Sequence, residues 1–347
     1  MLMLHSDEIK TPLRFVVTVD TEADDAWDRP DDVKVSNVLQ LERFQDLCDK
    51  YDVVPTYLLA YECATRDEAL KVLKPLSENR RCEIGHHLHV WTTPPFQRAG
   101  PTGVDLDWIH AFQFQLPDSL FTEKAECLRQ AIEKNFGRSP TSHRAGRFGI
   151  DQRTVDWLAS SGFVVETSVR KGLRLRNLGP DVTAKIADRR IEATEYGLNK
   201  NPYIWPGQSS NGNDQSVVEI PLTVDAPDDF ASNVLLRYLA LKWPGEPLLF
   251  RMYRKLSGLG RLDLDPAKPP GEMSGIIDRA IKRGVSVINL MLHSSELALH
   301  CSPFSNNQED LDQVWNHLED AFRHVRDRDI VSEGLTDVAR LALQYAR

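Results

Sequence analysis

The stretch CEIGHHLHVW, residues 82–91, places three histidines directly after an apolar run and a glycine. In a β-strand alternate side chains point to the same face, so His87 and His89 would share one face and His86 would point to the other. Two imidazoles at the end of one strand are typical of a metal site that takes its third ligand from elsewhere in the chain. They also fit a plainer arrangement, in which one histidine lies in the core and the other on the surface.

Composition limits the classes of protein to which the chain can belong. Its 347 residues, 41% of them hydrophobic, suffice for one large core. The net charge of -9 argues against a nucleic-acid surface. No apolar stretch is long enough to span a bilayer, and residues 1–14 lack the pattern of a secretory signal. Five widely spaced cysteines without a CxxC motif favour buried thiols in a reducing compartment, so we expect a cytoplasmic protein.

Apolar, β-branched runs alternate with amphipathic segments along the chain. The runs are typical of buried strands in a parallel sheet, and they cover residues 13–19, 53–59, 82–89, 163–169 and 285–292. Pro55 predicts a bent or edge position for the second of these strands. Thr122 is predicted to cap the helix that ends before Gly137. The alternation of strand and helix indicates the α/β class.

Two stretches interrupt this alternation. Residues 92–120 form a long loop rich in proline and aromatic residues, of the kind that covers an active site or forms a substrate wall. Residues from about 170 to 271 are rich in charge, proline, glycine and asparagine. We interpret them as an irregular insertion within a single domain that spans residues 1–347. Inside it, residues 217–224 are predicted to form a strand, and the basic segment 231–256 is predicted to be helical.

Polar side chains stand at or just after the ends of several predicted strands. The candidates for one common site are Asp20, Glu22, His87, His89, Arg144 and His293. In a barrel of parallel strands the carboxyl ends of all strands lie on the same face. We therefore expect the acids, the histidines and the arginine to converge on a single site.

In their order along the chain these motifs resemble those of the polysaccharide deacetylase family, also called the NodB-homology family or carbohydrate esterase family 4. The matching stretches are TVDTE (18–22), EIGHHLH (83–89), RAGRFG (144–149), ETS (166–168) and LMLH (290–293). The forms HLHxW and LHSSEL look like those of a bacterial subgroup of deacetylase-like proteins. The resemblance covers most of the chain and implies a distorted (β/α)7 barrel.

The resemblance also implies a role for each candidate residue. Asp20 would be the general base, Arg144 would orient it, and His293 would be the general acid that protonates the leaving amine. Three ligands would hold a divalent metal, which is usually zinc in the family: Glu22, His87 and His89. Three protein ligands leave a position open for water and for the acyl carbonyl, which fits hydrolysis of an amide.

The sequence departs from the family pattern at three positions. Thr21 stands where the family commonly has its metal-binding aspartate, which makes Glu22 an inferred replacement. Trp91 occupies the place of the usual second histidine ligand, four residues after His87. Glu166 only approximates the usual acid of the fourth motif.

The leading hypothesis is a metal-dependent hydrolase that removes an N-acetyl, or more generally N-acyl, group from an amino sugar or a glycan precursor. One alternative is a hydrolase of the same fold that acts on a non-sugar C–N bond, since a fold alone does not define the chemistry. The other is a catalytically silent glycan-binding protein, which the altered motifs and the insertion would suit.

Overall fold

The structure is a computed structural model that describes most of the chain. The described residues are 7–26, 32–97, 100, 112–169, 199–208, 215–225 and 260–346. Much of the predicted insertion, including the basic segment 231–256, lies outside them, so the insertion and the single-domain organisation stay predictions. None of the helices in the described part of the chain is both long and apolar enough to cross a membrane.

Strands and helices alternate along the described residues. The strands are β1 (Arg14–Thr21), β2 (Pro55–Leu59), β3 (Glu83–Leu88), β4 (Ser142–Ala145), β5 (Val165–Glu166), β6 (Tyr203–Pro206), β7 (Ser216–Glu219), β8 (Val224–Asp225), β9 (Gly260–Arg261), β10 (Val287–His293) and β11 (Val331–Ser332). The helices are α1 (Leu41–Lys50), α2 (Tyr61–Thr65), α3 (Asp67–Asn79), α4 (Asp118–Phe136), α5 (Gln152–Ser160), α6 (Glu272–Lys282), α7 (Gln308–Asp327) and α8 (Leu335–Tyr345). Short 3₁₀ turns cover Ser36–Gln40, Gln113–Gln115, Gly146–Phe148 and Ser294–Leu297.

The main sheet has the strand order β10-β1-β2-β3-β4-β5-β7-β6. Every neighbouring pair from β10 to β7 is parallel, whereas β6 pairs antiparallel with β7. The chain beyond β7 returns to β10, where the Thr223 N–H donates to the carbonyl of Asn289 at 3.2 Å. The Asn289 N–H donates in turn to Thr223 Oγ1 at 2.8 Å. These bonds connect the segment after β7 to β10 across the curled sheet, and the predicted α/β barrel fold is confirmed.

Side chains inside the barrel lie in layers along its axis. At the amino ends of the strands, apolar side chains such as Val16 and Val287 pack against helix α8, which closes this end. One level up, Thr18 and Asn289 are buried and joined by a 3.2 Å hydrogen bond. Asp20 is the next residue of β1 on the same face, at the carboxyl end of the strand. The apolar layer thus supports a polar site from below.

The strand register places the predicted site residues side by side. Asp20 of β1 lies opposite His293 of β10, and His87 of β3 lies opposite Arg144 of β4. Because side chains at the same level of neighbouring parallel strands point to the same face, each pair enters the barrel together. The register alone therefore brings an acid, an arginine and two histidines to one end of the sheet.

Several predicted boundaries need correction. Strand β2 is flanked by β1 and β3, so the edge position predicted from Pro55 is wrong. Proline is tolerated there because it is the first residue of the strand. Helix α4 begins at Asp118, and the Thr122 hydroxyl donates to the carbonyl of Asp118 at 3.0 Å instead of capping the helix. The strand predicted over residues 163–169 shortens to β5, and the one over 217–224 divides into β7 and β8.

Candidate active site

All six candidate residues from the sequence lie together at the carboxyl ends of the strands. The shortest of their carboxylate–imidazole distances is 3.1 Å, from Glu22 Oε2 to His89 Nε2, and the distance from Glu22 Oε2 to His87 Nε2 is 3.6 Å. Asp20 Oδ2 lies 3.8 Å from His87 Nε2 and 3.9 Å from His293 Nε2. Asp20 is therefore the carboxylate between the paired histidines of β3 and the histidine of β10.

Strand β3 separates its histidines in the way that the alternation predicts. His87 Nδ1 donates a hydrogen bond to the carbonyl of Arg144 at 3.0 Å, which leaves Nε2 directed at Glu22, where it is a donor when protonated and a metal ligand when deprotonated. His86 points to the opposite face, where its Nε2 donates to the carbonyl of Ala125 at 3.1 Å and its Nδ1 lies 2.8 Å from Nδ1 of His143. Burial lowers the pKa of His86 to about 3, so this histidine is a neutral core residue.

Glu22, His87 and His89 form a buried set of candidate metal ligands. Each offers one ligand atom, and the three atoms lie within 4.8 Å of one another. One carboxylate oxygen and two imidazole nitrogens are a donor set that suits zinc and similar divalent ions. The hydrogen bond from His87 Nδ1 fixes the ring with Nε2 facing the site, as a second partner does for most metal-binding histidines. The residues present therefore fit a divalent metal.

Three further side chains hold His89 and the loop that follows it. The indole of Trp91 stacks on the His89 ring with a centroid distance of 4.3 Å. The carbonyl of His89 accepts from Thr93 Oγ1 at 2.7 Å. Lys124 on α4 is buried and donates from Nζ to the carbonyls of Thr93 and Pro95, both at 2.7 Å. Sequence reasoning missed Lys124, although a lysine on the apolar face of a helix signals a buried partner.

Arg144 pairs with Asp20 in the interior of the barrel. The guanidinium donates from Nη1 to Asp20 Oδ1, from Nη2 to Thr18 Oγ1 at 2.8 Å and from Nε to the carbonyl of Thr167 at 3.0 Å. Burial by itself would raise the pKa of Asp20, but the charge of Arg144, assisted by His87 and His293, holds this pKa below its ordinary value. Asp20 is therefore an ionised carboxylate at neutral pH, which is the state that a general base requires.

His293 takes its carboxylate partner from the 3₁₀ turn that follows β10. The His293 N–H donates to Glu296 Oε2 at 2.9 Å, and Nδ1 of the ring lies 3.4 Å from Glu296 Oε1. Burial opposes a charge on His293, but the carboxylates of Glu22, Glu296 and Asp20 raise its pKa to about 9. Sequence reasoning missed Glu296, whose signal was an acid three residues after the strand-ending histidine, the spacing of a capping box.

Glu166, the approximate acid of the fourth motif, makes different contacts. Its carboxylate accepts from the backbone N–H of Ser168 at 2.8 Å and from the Ser168 hydroxyl, and that hydroxyl accepts from the N–H of Ala145 at 2.8 Å. Burial, and then the negative charge of Glu166, raises the pKa of Glu219 well above its ordinary value, which favours the protonated form of this neighbour. Glu166 thus supports the backbone next to Arg144, whereas Glu296 contacts His293.

Comparisons with known proteins agree with this architecture at the level of the fold. No protein-family model matches the sequence, and no curated protein matches it either. A solved structure from Mycobacterium smegmatis that is described as a polysaccharide deacetylase has a TM-score of 0.57 at 14% identity, and the match covers 99% of this chain and 96% of that one. A Puue allantoinase has a TM-score of 0.50 at 12% identity, covering 96% and 90% of the two chains. The chain therefore has the fold of the polysaccharide deacetylases, as its motifs predicted.

Proposed function

We propose that the protein is a metal-dependent hydrolase that removes an N-acetyl or other N-acyl group from an amino sugar or a glycan precursor. The observation that carries this proposal is the position of Asp20. Its carboxylate contacts Arg144 on one side and lies within 4 Å of both His87, in the candidate metal set, and His293. Base, ligand set and acid thus occupy a single buried site, which is the arrangement that amide hydrolysis requires.

The first half of the reaction is attack of water on the acyl carbonyl. When bound by Glu22, His87 and His89, a divalent metal supplies Lewis-acid chemistry that polarises a carbonyl and lowers the pKa of water. Asp20 Oδ2 takes the proton of the attacking water as the oxygen–carbon bond forms. Arg144 stays paired with Asp20 Oδ1 throughout, so that the other carboxylate oxygen remains directed at the site.

The second half is cleavage of the C–N bond. The leaving nitrogen needs a proton, because an amide anion is a very poor leaving group. His293 supplies this proton from Nε2, while Glu296 holds the backbone and the Nδ1 edge of the ring. The raised pKa of His293 keeps the imidazolium populated at neutral pH. The products are a free amine and acetate, the latter formed as the new carboxylic acid ionises. Asp20 then releases its proton to solvent, and His293 takes up a proton from solvent, which restores both side chains.

We propose zinc as the metal, because a set of two imidazoles and one carboxylate is a common catalytic zinc site. Metal analysis of purified protein after incubation with zinc should give one equivalent in the wild type. Substitution of either ligand, His87→Ala or His89→Ala, should reduce bound zinc at least tenfold. His324→Gln on α7 is the matched control, since it removes an imidazole that pairs with Asp278 elsewhere in the fold. Absence of stoichiometric zinc or cobalt from the wild type would contradict the metal site.

The reaction itself is tested by acetate release from a panel of N-acetyl sugars and nucleotide-linked N-acetyl sugars. We expect release by the zinc-loaded protein and a loss of about 10²- to 10⁴-fold in Asp20→Asn, the range typical of a general base. A non-sugar amide is the second candidate substrate, favoured by the allantoinase that shares the fold. Hydrolysis of cyclic amides without acetate release would favour this alternative. Binding of glycans without any hydrolysis would favour a catalytically silent glycan-binding protein. The cytoplasmic location stays a prediction, tested by cell fractionation.

A further inference from the structure

Arg147 is a partly buried cation next to the candidate metal set. The contact recorded for its guanidinium in the described part of the chain is with the ring of Phe112, whose centroid lies 5.6 Å away. No carboxylate among the described residues forms an ion pair with it. Arg144, three residues earlier, is by contrast fully engaged by Asp20 and two oxygen acceptors. Among the described residues the two arginines of the motif therefore differ, since Arg144 has a carboxylate partner and Arg147 has none.

The backbone around Arg147 brings it to the site through an unusual turn. Gly146 packs so closely on β3 that a Cβ atom there would overlap the carbonyl of Leu88 and lie 2.7 Å from Cδ2 of His89. The next two residues, Arg147 and Phe148, both have left-handed φ angles, of 55° and 61°. Such conformations cost about 1–3 kcal/mol each for residues other than glycine, and they are concentrated at functional sites.

The charges around Arg147 are compatible with the binding of an anion. Burial lowers the pKa of its guanidinium, and the negative charge of Glu22 opposes this effect, so the side chain lies within the field of the site. Arginine keeps its charge even when its pKa is lowered. With a divalent cation held by Glu22, the carboxylate would be neutralised and the region around Arg147 would be positive. A partly desolvated, positive region of this kind favours a ligand with a negative charge.

The chemistry of the guanidinium defines the class of that ligand. Arginine presents a planar fork of N–H donors that matches the oxygens of a carboxylate or phosphate group. Phe112 contacts the cation at a distance typical of a cation–π pair and is itself stacked on Phe114 with a centroid distance of 5.1 Å. These rings orient the guanidinium without using its hydrogen-bond donors.

We propose that Arg147 binds a carboxylate or phosphate group of the substrate, so that the amino sugar deacylated at this site carries a negative charge near its N-acyl group. This inference rests on the proposed function, which it extends by naming a substrate class. It assigns Arg147 to substrate binding and leaves the proton transfers to Asp20 and His293.

The test compares one neutral and two anionic sugars as substrates of the zinc-loaded protein: N-acetylglucosamine, N-acetylglucosamine 6-phosphate and N-acetylmuramic acid. The measured quantity is the ratio of kcat/KM for each anionic sugar to that for the neutral one. We expect a higher kcat/KM for at least one anionic sugar, and a fall of about 10- to 100-fold in its ratio in Arg147→Gln, the size of a lost charge-assisted hydrogen-bond pair. Preference for the phosphate or the carboxylate identifies which group is bound.

Two further variants control for misfolding and for a general loss of positive charge. Arg147→Gly also removes the guanidinium, and glycine adopts the left-handed φ without strain, so this variant should fold at least as well as the wild type. Arg340→Gln, at an exposed position of α8, removes a positive charge far from the site and should leave every ratio within twofold. Ratios unchanged within twofold in both Arg147 variants, with acetate still released, would overturn the anion site while the proposed function stands.

A binding measurement distinguishes the anion site from the proposed hydrolase function if no acetate is released. Inorganic phosphate is titrated into the zinc-loaded full-length protein, in which the charge of Glu22 is neutralised. Any attraction of phosphate to the metal itself is the same in the wild type and in the Arg147 and Arg340 variants, so a difference between them reports Arg147. We expect binding that weakens at least tenfold in Arg147→Gly and not in Arg340→Gln. If the wild type releases acetate from none of the sugars but binds phosphate through Arg147, the proposed function fails and the anion site is supported. Equal phosphate binding by the wild type and Arg147→Gly counts against the anion site.

Discussion

Replacement of Arg144 by methionine should destabilise the fold by removing the counter-charge of a buried carboxylate. Asp20 is 2% exposed and Arg144 is completely buried, so water cannot replace the lost guanidinium. Removing one partner of a buried ion pair costs about 3–5 kcal/mol, because the other charge remains buried and uncompensated. We therefore expect Arg144→Met to lower the free energy of unfolding at pH 7 by about 3–5 kcal/mol.

The origin of this penalty is tested by removing the stranded charge as well. In the double variant Asp20→Asn/Arg144→Met the site holds a neutral amide, and the remaining cost is about 1–3 kcal/mol for the unpaired polar groups. The double variant should therefore be more stable than Arg144→Met alone. Arg340→Met is the matched control, since Arg340 is exposed and its loss should change stability by less than about 0.5 kcal/mol.

The stability penalty of Arg144→Met should also depend on pH, and the direction of this dependence follows from the pKa of Asp20. In the wild type the folded pKa of Asp20 is below its unfolded value of about 3.9, so its stabilising contribution is present above that pH and is lost only in stronger acid. Without Arg144, the largest single effect on Asp20 is burial, which raises its pKa, and the strongest opposing charge is gone. The penalty of Arg144→Met should then be smaller at pH 5 than at pH 7. Urea unfolding of metal-free protein, followed by tryptophan fluorescence, measures both values. A penalty below about 1 kcal/mol, or one that Asp20→Asn does not relieve, would refute the reasoning.

Three further predictions follow from other contacts of the site. Glu296→Gln keeps the shape of the side chain but removes its negative charge, so the pKa of His293 in metal-free protein should fall from about 9. An NMR titration measures this pKa, and an unchanged value counts against the pairing of His293 with Glu296. Zinc at 100 times its Kd should stabilise the wild type by about 2.7 kcal/mol in thermal unfolding but should have little effect on Glu22→Gln, and equal stabilisation of both would exclude Glu22 as a ligand. Gly146→Ala should weaken zinc binding, measured by chelator competition, because the new Cβ overlaps the carbonyl of Leu88; unchanged affinity would mean that the turn moves freely.

The central part of the site could be predicted because it depends on local rules. Alternation along a strand is a property of the backbone, and it placed His87 and His89 on one face and His86 on the other. Parallel strands carry their carboxyl ends to the same edge of the sheet, which was enough to group Asp20 and His293 with them. Because these residues lie at or near the ends of their strands, they could be grouped without knowing the register between neighbouring strands.

The contacts of two acids, Glu166 and Glu296, were harder to predict, because they depend on the paths of the turns that carry them. Glu166 has the position in the sequence order that the fourth motif requires, yet a bond to its own Ser168 turns its carboxylate away to support the backbone. Glu296 contacts His293 only because a 3₁₀ turn brings the chain back within one turn. Neither turn has a hydrophobic periodicity, which is the main signal for structure in a single sequence.

The charges of the buried groups explain why the site should accept a cation. Asp20 and Glu22 are both nearly inaccessible to water, and of the two only Asp20 forms an ion pair with an arginine among the residues that the structure describes. Burial opposes a charge on His87, but the two carboxylates raise its pKa, as they do that of His293. The metal-free site thus balances its second negative charge by binding protons on imidazoles. A divalent cation at Glu22, His87 and His89 would replace a proton that must leave His87 before the ring can act as a ligand. Metal binding and proton release are therefore coupled here, and the affinity for the metal should increase as the pH rises through the pKa of His87.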